Sequence, residues 1–472
     1  MSYRSGCRRQ QKPSRITIQL LEKMKMKITK LSTHKDQSLT ENLLDEPIVS
    51  SNSHKFPENP KRELDRRKFM QTSLLALASS PAMVMADESI KNDFPAWSTT
   101  PGKGLNEYGQ PSKFEATTKR GIAKAYGDLA PGTGSARTPI EKLEGIITPS
   151  GLHFDRSHNG TPDIDPTKHQ LSIHGLVDRP LNFSIENLLR YPMISRTYFV
   201  ECAGNSAVNI IAPKPVQATA GTLHGLISCS DWTGIPLSVL LREAGVNPSG
   251  KWVLAEGADA PGMSRSFPIE KALDNALIAL YQNGEKIRPE QGYPMRLLLP
   301  GWEGNMNVKW LRSLKITAEP THTKDETSKY TDPLPNGKAR QFTFELGVKS
   351  IITKPSGLMK LPSKGFYEIS GIAWSGAGKV ARVEISTNGG KDWFDAMIDG
   401  PNHAFSLVRF RAPWNWNGEP AFLQSRAIDE RGNIQPTRAA YKANNAVDGR
   451  YHNNTIVTWA VQADGSVQNA YL

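Results

Sequence analysis

The stretch Tyr198-Phe199-Val200-Glu201-Cys202-Ala203-Gly204-Asn205-Ser206 sets a thiol at the end of an apolar run. Arg196 to Val200 is rich in β-branched and aromatic residues and predicts a strand. The Ala-Gly-Asn-Ser that follows predicts a turn whose backbone can approach a ligand closely. A cysteine placed there suits a nucleophile or, once deprotonated, a soft metal ligand. The competing reading is a buried core thiol, so the rest of the chain has to decide. Cys7, Cys202 and Cys229 are the only cysteines, too few for a disulfide framework. No CxxC pair offers a zinc ribbon and no CxxCH attaches a haem, so an onward electron carrier would sit on another chain.

The elements that must position Cys202 alternate strands and helices with glycine loops. Gln170 to Leu176 alternates as a strand, and Phe183 to Tyr191 reads as a short helix starting near Ser184. Trp232 to Gly245 reads as a helix, with Pro236 in its first turn and Gly245 closing it. Lys251 to Glu256 is a strand leading to Gly257-Ala258-Asp259. Pro268 to Leu280 reads as mostly helical. Met295 to Leu299 is a buried strand running into Pro300-Gly301-Trp302-Glu303-Gly304, and Asn307 to Trp310 begins another through Ile316. Gly151 to Gly160 reads as a loop offering Arg156 and histidines to an anion. His153 and His158 lie five apart and share no helix face, which argues against a zinc pair.

The chain of 472 residues carries 58 Lys+Arg and 46 Asp+Glu, a formal charge of +12. Residues 1–86 hold 16 of those cations and 8 of the anions, leaving 42 against 38 for the body, without a basic stripe. That excludes nucleic acid as the natural partner. Residues 1–60 are polar and basic and read as a disordered extension. Within 61–86, Arg66-Arg67 precedes an apolar small-residue run, Thr72 to Ala86, that ends in a small-x-small pattern. It is too short to span a bilayer, and it resembles a twin-arginine export signal with the periplasm as destination. No other stretch reads as a membrane span. Residues 87–145, rich in Gly, Pro and charge, read as a wrapping segment.

From about residue 340 the texture changes. Phe366 to Trp374, Val380 to Ser386, Ala404 to Arg411, Phe422 to Ile428 and Thr455 to Val461 read as short strands between Gly/Asn/Asp turns, the pattern of an all-β sandwich over 340–472. Gly376-Ala-Gly378-Lys379 has the wrong spacing for a phosphate loop.

Five motifs occur in order: Phe154-x-Arg-x-His158, Tyr198-Phe-Val-Glu-Cys-Ala-Gly-Asn205, Glu256-Gly-x-Asp259, Gly292-Tyr-Pro-Met-Arg296 and Asn307-Val-Lys-Trp310. Together they resemble the sulfite oxidase family of molybdenum-cofactor enzymes, from about residue 140 to the C-terminus. Ser230 to Leu237, Pro300 to Leu311 and Asp325 to Asp332 are similar to one branch in particular, the SoxC-type molybdenum subunits of sulfane dehydrogenases. The resemblance implies an α+β fold: a mixed α/β molybdopterin-binding domain over 146–325, followed by an immunoglobulin-like dimerisation domain over 340–472. It implies Mo-molybdopterin as cofactor, with no haem on this chain and Cys202 as thiolate ligand to the metal. Cofactor contacts then fall on Phe154, Arg156, Ser157, His158, Asp259, Gln291, Arg296, Asn307, Val308 and Lys309, with Gln291 standing where the family commonly has His. Tyr330 aligns with an active-site tyrosine.

The activity implied is oxidation of a carrier-protein-bound sulfane sulfur to a sulfonate by oxygen-atom transfer. A c-type cytochrome (SoxD-like) would receive the electrons, and the chain would form a homodimer. Free sulfite is the alternative substrate, and an exported, non-catalytic binding protein is a reading of another class. Sulfite oxidases carry two arginines just after Cys-Ala-Gly-Asn where this chain has Ser206 and Ala207, and each such charge-assisted contact is worth roughly 1.5–3 kcal/mol to a small dianion. That departure favours the carrier-bound sulfur. Cys229 is expected to be a buried structural thiol.

Overall fold

The computed structural model describes residues 95–124, 131–444 and 450–472. The basic extension and the twin-arginine stretch lie outside them. Residues 1–105 and 106–472 separate into two units. In the first, the described residues hold one helical turn, Ala96–Thr99. All further features belong to the second. Among the described residues no helix is long and apolar enough to cross a membrane.

Strand pairing overrides local propensity in three places. Trp232 to Pro236, expected as a helix, completes the strand Ile227–Pro236 between Ile194–Glu201 and Leu277–Gln282. Trp232, Thr233 and Ile235 suit a pleated surface. Gly234 lies so close to the neighbouring strand that a Cβ would stand 2.0 Å from the Ile278 carbonyl oxygen. Pro236, with no N–H to continue the ladder, caps the helix Leu237–Ala244, and Gly245 ends it in the left-handed conformation. Pro268 to Leu280 likewise divides: Ser264–Pro268 is a strand, Ile269–Asp274 a helix, and Leu277–Gln282 a strand buried on both faces. Short apolar runs such as Leu-Ile-Ala-Leu carry no period that tells the two apart. In the expected wrapping segment, Gly121–Lys124 and Gly134–Arg137 form a three-stranded sheet with Asp155–Ser157. That third strand lies within the expected 151–160 loop.

Two five-stranded sheets build the α+β part. One carries Ile194–Glu201, Ile227–Pro236 and Leu277–Gln282, with Arg296–Leu298 joined to its side. The other orders Leu181–Ser184, Gln170–Gly175, Leu311–Thr317, Trp252–Gly257 and Ser264–Pro268. The sandwich follows as a four-stranded sheet, including Lys349–Lys354 and Gly365–Trp374, against a five-stranded sheet with Val380–Ser386 and Ala421–Asp429. Its strands Val408–Trp416 and Thr458–Val461 begin later than the sequence suggested. The sandwich core, with Trp374, Phe410 and Trp459, continues without a break into Phe199, Ile227 and Cys229, behind the Cys202 strand.

Candidate active site

Cys202, Tyr330 and every expected cofactor contact line one cleft of about 680 Å3, partly open to solvent. Phe154, Arg156, Ser157 and His158 come from the short Asp155–Ser157 strand and its flanks. Cys202 follows the Ile194–Glu201 strand directly, its N–H donating to the Leu226 carbonyl at 3.0 Å. Asp259 stands in the loop after Trp252–Gly257, and Gln291 in the turn Pro289–Gln291. Arg296 opens the strand Arg296–Leu298, Asn307, Val308 and Lys309 precede Leu311–Thr317, and Tyr330 follows the turn Lys324–Thr327.

Cations buried in the cleft are held by backbone oxygens and, for Lys309, by the Asp155 carboxylate. Arg296 donates to the carbonyls of Asn307 (3.0 Å) and Gln291 (3.1 Å), and burial pushes its guanidinium down to about 10. Lys309 Nζ reaches Asp155 Oδ1 at 2.6 Å and the Glu290 carbonyl at 2.9 Å. Gln291 Nε2 donates to the Phe154 carbonyl at 2.8 Å, locking the Phe154 loop to the Arg296 strand. Gly292, at φ +112, lets these pieces close, since a Cβ there would stand 3.1 Å from the Cβ atoms of both Arg296 and Lys309.

Tyr330 and His158 form the opposite wall. Burial, with the Arg156 and Lys329 charges, pushes His158 down to about 4, so the imidazole is neutral, and its Nε2 is hydrogen-bonded to the Tyr330 hydroxyl at 3.0 Å. Burial and the nearby Cys202 charge raise the tyrosine pKa far above its ordinary value, so the phenol keeps its proton. The Arg265 guanidinium lies 5.2 Å from the Tyr330 ring centre. Burial also raises the Cys202 thiol, while the Gly204 N–H and the Arg156 charge act against it.

Beyond Cys202 and Tyr330 the cleft widens into an outer chamber of about 1360 Å3, lined by Arg137, Arg156, Lys324, Lys329 and Arg450 among others. Ser206 and Ala207 line neither space. Ser206 Oγ is buried, 2.7 Å from His224 Nδ1 and 2.8 Å from Lys349 Nζ, and Lys349 in turn pairs with Glu201 at 3.0 Å. The mouth is therefore cationic without arginines at 206 and 207, which weakens the substrate argument drawn from their absence.

His153, expected in a loop offering donors to an anion, does line the cleft, whereas sequence reasoning missed Asp155, Met263, Asn305 and Trp310 there, and Arg137, Arg450 and Tyr451 in the chamber. Asp155 and Trp310 lie inside or beside the motifs already quoted and were within reach; Arg137 had no local signal. Cys202 and Cys229 are both free, and Cys229 is fully buried.

The residues fit an anionic pterin carrying a metal. Arg296 Nε and His153 Nε2 are buried in the cleft wall without a hydrogen-bond partner, a condition a polar ligand would relieve. No group of three or more His, Cys, Asp or Glu among the described residues could hold a metal. A metal at Cys202 must therefore bring most of its own ligands, as a dithiolene pterin does.

The profile of the oxidoreductase molybdopterin binding domain matches residues 158–324, and that of the Mo-co oxidoreductase dimerisation domain matches 340–459. Nitrate reductase [NADH] 1 of Arabidopsis thaliana is 32% identical over 64% of this chain and 38% of its own. Mitochondrial sulfite oxidase of Homo sapiens is 30% identical over 65% of this chain and 60% of its own. The chain thus spans about 38% of the length of the plant nitrate reductases it matches. The crystal structure of the sulfane dehydrogenase SoxCD from Paracoccus pantotrophus superposes with a TM-score of 0.78 at 43% identity, covering 82% of this chain and 99% of that one. With two family profiles in order and a solved relative matched along nearly its whole length, the chain belongs to the sulfite oxidase family of molybdenum oxidoreductases and is similar within it to SoxCD.

Proposed function

We propose that the chain is the molybdenum subunit of a sulfane dehydrogenase, oxidising a sulfane sulfur on a carrier protein's cysteine to a sulfonate. The observation that carries the site assignment is the place of Cys202, where the polar inner cleft meets the cationic outer chamber. The choice of substrate is supported by the 43% identity to SoxCD along 99% of its chain, against 30% to human sulfite oxidase. Free sulfite is the second reading, favoured by the cationic mouth.

When bound, molybdenum supplies two-electron redox and oxygen-atom transfer. The protein's own part is to bind and orient. Cys202 offers the soft thiolate. Arg156, Arg296 and Lys309 answer the cofactor's phosphate charge, and Phe154, Ser157, His158, Asp259, Gln291, Asn307 and Val308 hold its edges. Tyr330 keeps its proton; with His158 in the tautomer whose Nε2–H donates to the phenol oxygen, the hydroxyl proton is left to donate at the reacting end. A c-type cytochrome takes the electrons, the sandwich pairs two copies, and the twin-arginine stretch sends the folded protein to the periplasm.

The test is metal analysis combined with turnover. About one molybdenum per chain, lost in Cys202→Ser, together with cytochrome c reduction driven by a thiosulfate-loaded carrier, supports the reading. Efficient oxidation of free sulfite with no response to the loaded carrier overturns the substrate.

A further inference from the structure

The outer chamber has a cation that the cofactor reading leaves unused. Arg137 ends the strand Gly134–Arg137, the middle strand of its three-stranded sheet, and lines the chamber but not the inner cleft. Its Nη1 donates to the Thr222 carbonyl at 2.8 Å, which fixes the half-buried guanidinium over the chamber wall. Cys202 lines the same chamber. Two of the other cations there are engaged elsewhere: Lys324 pairs with Asp325 at 2.6 Å, and Arg156 reaches into the cleft and bonds the carbonyls of Gly134 and Ser157; Lys329 stands on the exposed rim. A persulfide or S-sulfonate brought to Cys202 carries a negative charge that Arg137 is placed to meet.

We propose that Arg137 is a specificity-determining residue whose guanidinium grips the anionic end of the sulfur substrate beside Cys202. This rests on the sulfur-oxidising reading above for the substrate class, but the grip itself is a property of the chamber. Arginine suits the task, because its planar fork pairs with two oxygens of a sulfonate at once.

Alkylation of Cys202 tests the grip without turnover. The full chain is produced without the pterin cofactor and treated with iodoacetate, an anion, or iodoacetamide, its neutral counterpart, and Cys202 is read by peptide mass. The ratio of the two rates cancels the thiol's own reactivity. Arg137→Gln is expected to lower the iodoacetate-to-iodoacetamide ratio about tenfold, equivalent to about 1.4 kcal/mol. Arg137→Lys and Lys329→Gln are expected to stay within about twofold, since lysine keeps the charge at the first site and the second is an exposed rim position. A ratio unchanged in Arg137→Gln, with the iodoacetamide rate also unchanged, overturns the proposal. If Arg137→Gln loses its fold, Ser135→Asp replaces it. That change sets a carboxylate two residues away on the same strand face, and an unchanged ratio in it overturns the proposal equally. Turnover by the loaded enzyme separates the two readings: a lowered ratio without sulfur oxidation sinks the function and leaves the grip, whereas sulfur oxidation with an unchanged ratio does the reverse.

Discussion

Replacing Lys349 with methionine removes the cation beneath the Cys202 turn at nearly constant volume. Its ammonium and the Glu201 carboxylate are 3.0 Å apart, with side chains only 1% and 5% exposed. Removing one partner of such a pair strands the other charge in a dry interior, at about 3–5 kcal/mol. Glu201 keeps Trp374 Nε1 at 2.7 Å and Asn205 Nδ2 at 2.9 Å, so the low end, about 3 kcal/mol, applies. An unfolding entropy of about 2.1 cal/mol/K per residue gives roughly 0.8 kcal/mol/K for a unit the size of residues 106–472, so the melting temperature should fall by about 4 °C. The double variant Lys349→Met/Glu201→Gln leaves no stranded charge and should recover about two thirds of that loss. Scanning calorimetry on the three proteins decides. A single variant melting within about 1 °C of the parent, or a double variant no more stable than the single, would refute the buried-pair argument.

Other outcomes follow from the same geometry. Gly292→Ala forces a Cβ to 3.1 Å from both Arg296 and Lys309 at a φ of +112; it should cost about 1–3 kcal/mol and lower the molybdenum content of the purified protein. Tyr330→Phe removes the hydroxyl that meets His158 at 3.0 Å, so kcat should drop tenfold or more at unchanged metal content, read by steady-state kinetics beside metal analysis. His153 is buried, and burial pushes it down to about 3. Between pH 6.5 and 3 the unfolded chain takes up a proton there that the folded one refuses, so stability falls as pH falls through that window, by up to about 1.4 kcal/mol per pH unit. His153→Phe, stacked on Phe154 as the imidazole is at 5.3 Å, should flatten that slope in melts taken across the window, and an identical slope would sink the assignment. A cationic mouth also predicts that KM for an anionic substrate rises with ionic strength while kcat holds.

The Cys202 turn and the motifs around it were legible because they are local. A strand of β-branched and aromatic residues running into Ala-Gly-Asn, or Gly292 four residues before Arg296, announces itself in a short window. Trp232 to Pro236 deceived because its pattern fits a helix and only pairing with Ile194–Arg196 and Leu277–Gln282 makes it a strand. The Lys349–Glu201–Ser206 cluster joins residues 143 and 148 positions apart in the chain, a separation no periodicity reports. For the same reason Ser206 looked like a missing substrate contact when it is a buried partner of Lys349. Arg137 lies in a segment rich in Gly and Pro whose strand pairs with Gly121–Lys124 and with Asp155–Ser157, partners that local composition does not report.

The continuous core behind the Cys202 strand bears on how the molecule moves. Phe199 and Trp374 face each other across the join of the two family regions, and the Phe199 N–H donates to the Phe405 carbonyl at 2.8 Å. Residues 325–340 are therefore a seam in the sequence without being a hinge in the solid body: bending there would tear open apolar packing. The mouth is bounded instead by the segments bearing Lys329, Tyr330 and Tyr451. Access to Cys202 accordingly runs through the open chamber, with no parting of the two regions, and these should melt in a single heat-absorption peak.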